Sequence, residues 1–135
     1  MANGLYDKGR EGFLAGDLSW RDDDIRVVLV DTALYTVNLA THEFLSSVPV
    51  GARVAVSGSL AGKTVAGGVA DADNITIPAV TGASSEAIVV YKHTGADATS
   101  RLIMYADNGI GLPFTPNDGD VRITWSNSPS KIFRL

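Results

Sequence analysis

The sequence predicts a mainly β protein, an antiparallel β-sandwich or partly closed barrel with a short amino-terminal helix and a second short helix near 41–48. The first observation behind this is compositional. Among 135 residues there are 14 Gly and only 19% charged residues, with many Ala, Thr, Ser and Val, which fits strands joined by tight turns better than helices laced with ion pairs. The second is a succession of short segments from Ala52 onward: "ARVAVSG", "KTVAGGVA", "NITIPAV", "EAIVVYKH", "RLIMYAD", "DVRITWS" and "KIFRL". Loops rich in Gly, Asp, Asn, Ser and Pro separate them, at the spacing of sandwiches and barrels. The third is alternation. Val121, Ile123 and Trp125 share one face of such a strand and Arg122, Thr124 and Ser126 the other, so one side is expected to be buried and the other wet.

In chain order, Asn3 to Gly16 reads as one helix, with Asn3 as its cap, Tyr6, Phe13 and Leu14 on one face, and Gly16 as the stop. Gly9 and Gly12 each weaken it by about 1 kcal/mol relative to Ala. Such a helix needs to dock on the sheet or on a neighbouring subunit. "DDDIRVVLVDT" (Asp22 to Thr32) opens with an acidic turn, and Ile25 to Val30 is too continuously apolar for a half-exposed strand, which places it centrally in a sheet. In the connection that follows, "THEFLSSVP" (Thr41 to Pro49) begins with a capping residue and ends at a proline, as a one- or two-turn helix would. No repeat, low-complexity tract or linker interrupts the chain. Its length fits one domain, 1–135, with 1–20 as a helix or arm and 21–135 as the β-rich body.

Composition also excludes classes of function. The chain has no Cys, so a disulfide framework, thiolate zinc sites and cysteine catalysis are out. Eleven Lys and Arg against fifteen Asp and Glu give a net charge of -4 and a pI of 4.9 with no basic stripe, which argues against nucleic acid as a partner. The segment "MANGLYDKGREGF" lacks the apolar run of a signal peptide and no stretch approaches a membrane span. A soluble protein, made and kept without export and with no membrane partner, is the expectation.

The stretch "SGSLAGKTVAGGVADADN" (57–74) looks most like chemistry. A phosphate-binding loop needs Gly five residues before Gly62 of the Gly62-Lys63-Thr64 triplet, where Ser57 stands. It must also open a helix, whereas "TVAGGVADAD" is strand-like. A β-hairpin is expected instead, with Lys63 in solvent and Gly67-Gly68 at a bulge or close approach. Asp71, Asp73 and Asn74 resemble the start of a calcium loop, but Thr76 and Gly82 occupy the places of its essential Gly and Glu, so a solvated turn is expected. Asp22, Asp23 and Asp24 read as a polar boundary. His42 and His93 have no second His or Cys at ligand spacing, and no G-x-S-x-G nucleophile motif occurs. His42 reads as a surface or interface residue and His93 as part of a long hairpin turn. No catalytic, cofactor-binding or metal-binding residue is therefore assigned. The nearest approach to a glycan-binding site is Asp118 and Asp120 beside Phe114. The aromatics are scattered one per element and build no stacking platform, leaving Trp20 and Trp125 as core or interface anchors.

Taken together, "LYDKGREGFLAGDLSW", "IRVVLVDTALYTVNLATHEFLS", "SGSLAGKTVAGGVADADNITI", "EAIVVYKHTG", "ATSRLI" and "DGDVRITWSNSPSKIFRL" resemble a family of small virion proteins of tailed bacteriophages along nearly the whole chain. The resemblance implies a non-enzymatic structural protein without cofactors. Most specifically it implies a capsid decoration, or cement, protein on the head surface, whose partner is the major capsid protein and which forms a homo-oligomer. A tail, neck or fibre-attachment component is the alternative, and a glycan-binding module a more distant one. A cement protein needs a rigid core with apolar anchors, and Phe13, Trp20 and Phe133 are the anchors to test, ordinary core being the other reading of each.

Overall fold

A computed structural model of the chain describes residues 4–82, 84–107, 115–125 and 132–134. Gly4–Leu5 forms a short strand, β1, and Asp7–Ala15 the helix α1. The strands β2 (Ile25–Val30), β3 (Arg53–Val56), β4 (Thr64–Ala66), β5 (Val69–Asp71) and β6 (Ile75–Ile77) follow. The described chain is completed by β7 (Ala87–Lys92), β8 (Leu102–Ala106), β9 (Val121–Ile123) and β10 (Phe133–Arg134). All pairings are antiparallel: a five-stranded sheet in the order β1-β8-β7-β2-β3, a three-stranded sheet β10-β5-β4, and the pair β6-β9. The molecule is mainly β, as its composition and segment spacing predict, and each of the seven quoted segments contains a strand.

β2 is internal to the large sheet, and its side chains are buried on both faces, which explains its unbroken apolar run. Ile25, Val27, Leu29, Ile88, Val90 and Met104 face one way. They pack in a single cluster with Ala70, Ile77, Ile123, Trp125 and Phe133 of the smaller sheets, which is the sandwich. Val28, Val30, Val89, Tyr91, Leu102 and Tyr105 face the other way and are covered by Tyr35, Leu45, Val48 and Ala52 from the long connection between β2 and β3. A bulge between Val90 and Tyr91 in the β7–β8 pairing lets Ile103 join the first face while Leu102 stays on the second. On β9, Ile123 and, just beyond it, Trp125 are buried while Arg122 and Thr124 are exposed, as the alternation predicts; Ser126 lies outside the described residues.

The amino-terminal helix differs from its sequence reading in start, face and the role of its glycines. Asn3 lies outside the described residues. The helix begins only after Tyr6, because Gly4 and Leu5 pair with Tyr105 and Met104 of β8. Tyr6 is fully buried in the second cluster, Phe13 packs against the first, and Leu14 is 89% exposed, so these three do not share a face. The docking face is glycine. A Cβ on Gly9 would sit 2.8 Å from the Leu102 carbonyl oxygen, and one on Gly12 2.7 Å from the Arg101 side chain. The residues that cost helix propensity are thus the ones that let α1 pack closely, Gly9 on the β8 backbone and Gly12 on the Arg101 and Leu18 side chains. Gly16 ends the helix in the left-handed conformation (φ 82°), as expected.

The second helix near 41–48 does not form as an α-helix. Phe44 instead makes an antiparallel bridge to Arg101, with the Leu45 N–H bonded to Ser100 O (2.8 Å) and the Leu102 N–H to Glu43 O (2.9 Å). Only short 3-10 turns remain, at Leu45–Ser47 and Val50–Ala52. Extending the sheet edge satisfies more backbone there than a capped helical turn would. The Gly67-Gly68 pair likewise proves to be the hairpin turn itself. Both residues have positive φ (58° and 78°), the type I′ geometry that joins β4 to β5, and a Cβ on Gly67 would meet nothing within 4 Å.

Replacing Gly9 by Ala is expected to destabilise the protein by about 2 kcal/mol. Overpacking against the β8 backbone costs about 1–3 kcal/mol and outweighs the roughly 1 kcal/mol gain in helix propensity. Urea unfolding checks this: a Gly9→Ala variant as stable as the parent, or more so, would show that the helix does not rest on β8 through Gly9.

Candidate functional site

Phe13, Trp20 and Phe133, distant in sequence, come together in one aromatic cluster. Phe13 lies in the last turn of α1, Trp20 in the loop that leaves it, and Phe133 on β10, where it pairs with Ala70 of β5. The Phe133 ring stands edge-on to Trp20 with centroids 5.2 Å apart, and its centroid is 5.8 Å from that of Phe13. The Trp20 indole N–H donates to the Asp71 carbonyl oxygen at 2.9 Å, which fixes the ring over the β5 backbone. Trp20 and Phe133 are buried, and Phe13 is half-buried at the rim.

These rings and Val65, Val69 and Ala70 line an open groove of about 230 Å³. Its shape follows from strand register. Val65 opposes Ala70, and Ala70 opposes Phe133, so the three side chains form one row across the small sheet. The rings of Trp20 and Phe13 cover the Phe133 end of the row, and at the other end Val65 is 51% exposed. None of the six side chains ionises. The groove can take an apolar side chain from another molecule by burial alone.

The polar positions singled out in the sequence serve the fold. β4 begins at Thr64, so the Gly62-Lys63-Thr64 triplet leads into a strand, and Lys63 donates to the Asp23 carbonyl oxygen rather than standing free in solvent. Asp71 and Asp73 lend their backbone carbonyls to the indole N–H groups of Trp20 and Trp125 (2.9 and 3.1 Å), and Asn74 Oδ1 accepts the Trp125 backbone N–H at 3.0 Å. In the acidic run, Asp24 accepts from Arg26 Nε and Nη2, each at 3.1 Å, and from the Ser59 hydroxyl, which hold its carboxyl below the usual range; Asp23 meets Lys92 at 3.4 Å. Asp120 Oδ1 accepts the Ala79 N–H and Asp118 donates its backbone N–H to Val80 O, so both belong to a turn. Phe114 lies outside the described residues. His93 sits in the loop between β7 and β8, as expected.

His42 has a role that sequence reasoning missed. Its Nδ1 accepts the Asn38 backbone N–H (3.3 Å), so the Tyr35 hydroxyl at 2.8 Å must donate to it, and Tyr35 in turn accepts from the buried Tyr6 hydroxyl at 2.8 Å. A directed chain Tyr6 to Tyr35 to His42 thereby links the start of α1 to the β2–β3 connection. Burial pushes the Tyr6, Tyr35 and Tyr105 phenols up, Tyr105 to about 12 with Asp107 adding to the effect, and it pushes the His42 imidazole down. Neither Tyr35 nor His42 falls in a periodic segment, so no pattern announces their meeting.

No protein-family profile matches the chain, and no curated protein matches it.

Protonating His42 would force Nδ1 to become a donor, leaving the Asn38 N–H without its acceptor. The folded protein holds this proton less tightly than the unfolded chain, so stability is complete above the ordinary His value of 6.5. It should fall as pH drops from there toward the lower folded value. A further loss, as Asp24 protonates, belongs below 3.8. Urea unfolding at stepped pH reads both, and His42→Gln should abolish the upper step alone; an unchanged upper step in that variant would refute the assignment. Tyr35→Phe leaves the Tyr6 hydroxyl buried and unpaired, and is expected to cost about 1–3 kcal/mol by urea unfolding at neutral pH.

Proposed function

We propose that the chain is a non-enzymatic structural protein of a tailed-phage virion, a capsid decoration protein that binds the outside of the major capsid shell as a homo-oligomer and stabilises it. One observation carries the reading: the aromatic cluster of Phe13, Trp20 and Phe133 lines an apolar groove open to solvent at Val65. This is what a clamp requires, a rigid frame with an uncovered apolar patch to receive a neighbour's side chain. The sequence resemblance to small virion proteins supplies the neighbour, the major capsid protein. The sheet buried on both faces supports the same role, since a clamp transmits load only as well as its core resists deformation.

The test is location and copy number in the particle. Antibody labelling or cryo-imaging of virions should find the protein in many copies on the head. Detection only at the tail or neck, in few copies, would favour an attachment component and sink the decoration reading; absence from virions would sink both. Phe13→Ala, at a half-buried rim position, should leave the protein folded and weaken binding to expanded capsid shells by about tenfold or more, measured by co-sedimentation.

A further inference from the structure

We infer that the free edge of β4 pairs with the same edge of a second copy, antiparallel and centred on Val65, joining two three-stranded sheets into one of six strands. Hydrogen-bond parity in the β4–β5 hairpin decides which backbone groups of β4 face outward. In a two-residue type I′ hairpin the residues flanking the turn, Ala66 and Val69, form a hydrogen-bonded pair, so Val65 and Ala70 do not bond each other and Thr64 and Asp71 do. The Ala70 carbonyl accordingly points away from β4 and accepts the Ile132 N–H at 3.1 Å. Val65 therefore directs its own N–H and C=O outward, along an edge to which no other described strand pairs.

The other sheet edges carry guards against such pairing. β3 bears Arg53 and a register shift opposite Leu29 and Val30; β1 is two residues long, with Leu39 packed on Gly4; β9 exposes Arg122; β6 runs into Pro78; and β10 exposes Arg134. β4 is Thr-Val-Ala, uncharged and exposed throughout, with its neighbouring cation, Lys63, already bonded to Asp23 O.

The same segment is self-complementary, which selects a second copy as the occupant. About a two-fold axis at Val65, the valine meets its own mate as a hydrogen-bonded pair, with both N–H···O bonds made. Thr64 then faces Ala66 of the second copy and Lys63 faces Gly67, so no like charges oppose one another. The apolar row Phe133–Ala70–Val65 continues into the same row of the second copy, and the two grooves adjoin. This pairing does not depend on a place in a virion, and it would hold for the isolated protein.

Sedimentation velocity over about a hundredfold range of concentration is the test, because a contact this short belongs with weak interfaces. The wild-type chain should pass from monomer to dimer. Val65→Lys and Val65→Glu, each placing like charges face to face, should each remain monomeric, and an equimolar mixture of the two should recover the dimer. Amide hydrogen exchange on the unaltered protein supplies a readout that needs no variant: the Val65 N–H should exchange about tenfold more slowly in the dimer than at dilution. A chain that stays monomeric throughout would overturn the inference. So would a Val65→Lys variant that dimerises like wild type, or a Val65 amide whose exchange ignores concentration.

Discussion

Everything else in this fold answers to one constraint: the central sheet of β2, β7 and β8 is apolar on both faces and must be covered twice. Val27 and Val28, neighbours in sequence, belong to different cores. A short chain cannot furnish two regular layers from what is left. One face receives the small sheets, whose strands of two or three residues contribute little more than one inward side chain each. The other receives the connection between β2 and β3, which has no regular strand or α-helix of its own. Burying a large aliphatic or aromatic side chain is worth about 1.5–3 kcal/mol, so leaving either face open would forfeit several such contributions at once.

An irregular cover raises a second requirement, because its backbone polar groups have no ladder to join. Two arginines meet it. Arg53 donates to Val48 O (3.0 and 2.7 Å) and to Leu45 O (2.9 Å) while pairing with Asp97 at 2.8 Å. Arg101 donates to Lys8 O at 2.9 Å, pairs with Glu43 at 3.3 Å and lies over the Phe44 ring, joining α1 to the same connection. A guanidinium suits this task because its several donors lie in one rigid plane. The Tyr6–Tyr35–His42 chain pins the connection at its other end. No buried side-chain nitrogen or oxygen among the described residues lacks a partner.

This division explains what the sequence discloses. Strands are legible because burial writes a local pattern: alternation on β9, and an unbroken apolar run on β2 where both faces are buried. The cover is illegible because its bonds are long-range. Nothing near "THEFLSSVP" says that Phe44 will bridge to Arg101 rather than start a helix, and nothing near Tyr35 says that Tyr6 lies beneath it. Gly9 and Gly12 mislead for a related reason. Propensity scores the helix alone, whereas Gly9 is placed for the β8 backbone and Gly12 for the Arg101 and Leu18 side chains. The three aromatic anchors were legible as residue types, but their meeting depends on the register of β10 against β5, which side-chain pattern in a two-residue strand does not specify.

The groove follows from the same shortage of material. A row of three side chains across the small sheet spans about 10 Å at strand spacing; Ala70 and Phe133 are buried in the core beside the end of α1 and the loop behind it, whereas Val65 is 51% exposed. α1 is held in place by Gly9 against the β8 backbone, by Gly12 against the Arg101 and Leu18 side chains, and by the Arg101 bond to Lys8 O in its first turn. Phe13 on α1 and Trp20 in the loop behind it pack on Phe133, and Val65 is left 51% exposed. The helix that closes one side of the molecule is held by the contacts that leave the opposite end of that row bare, so a tighter dock on β8 and an exposed β4 are two results of one placement. Moving α1 to cover Val65 would require giving up the glycine contacts, and with them the closest approach between the helix and the sheet.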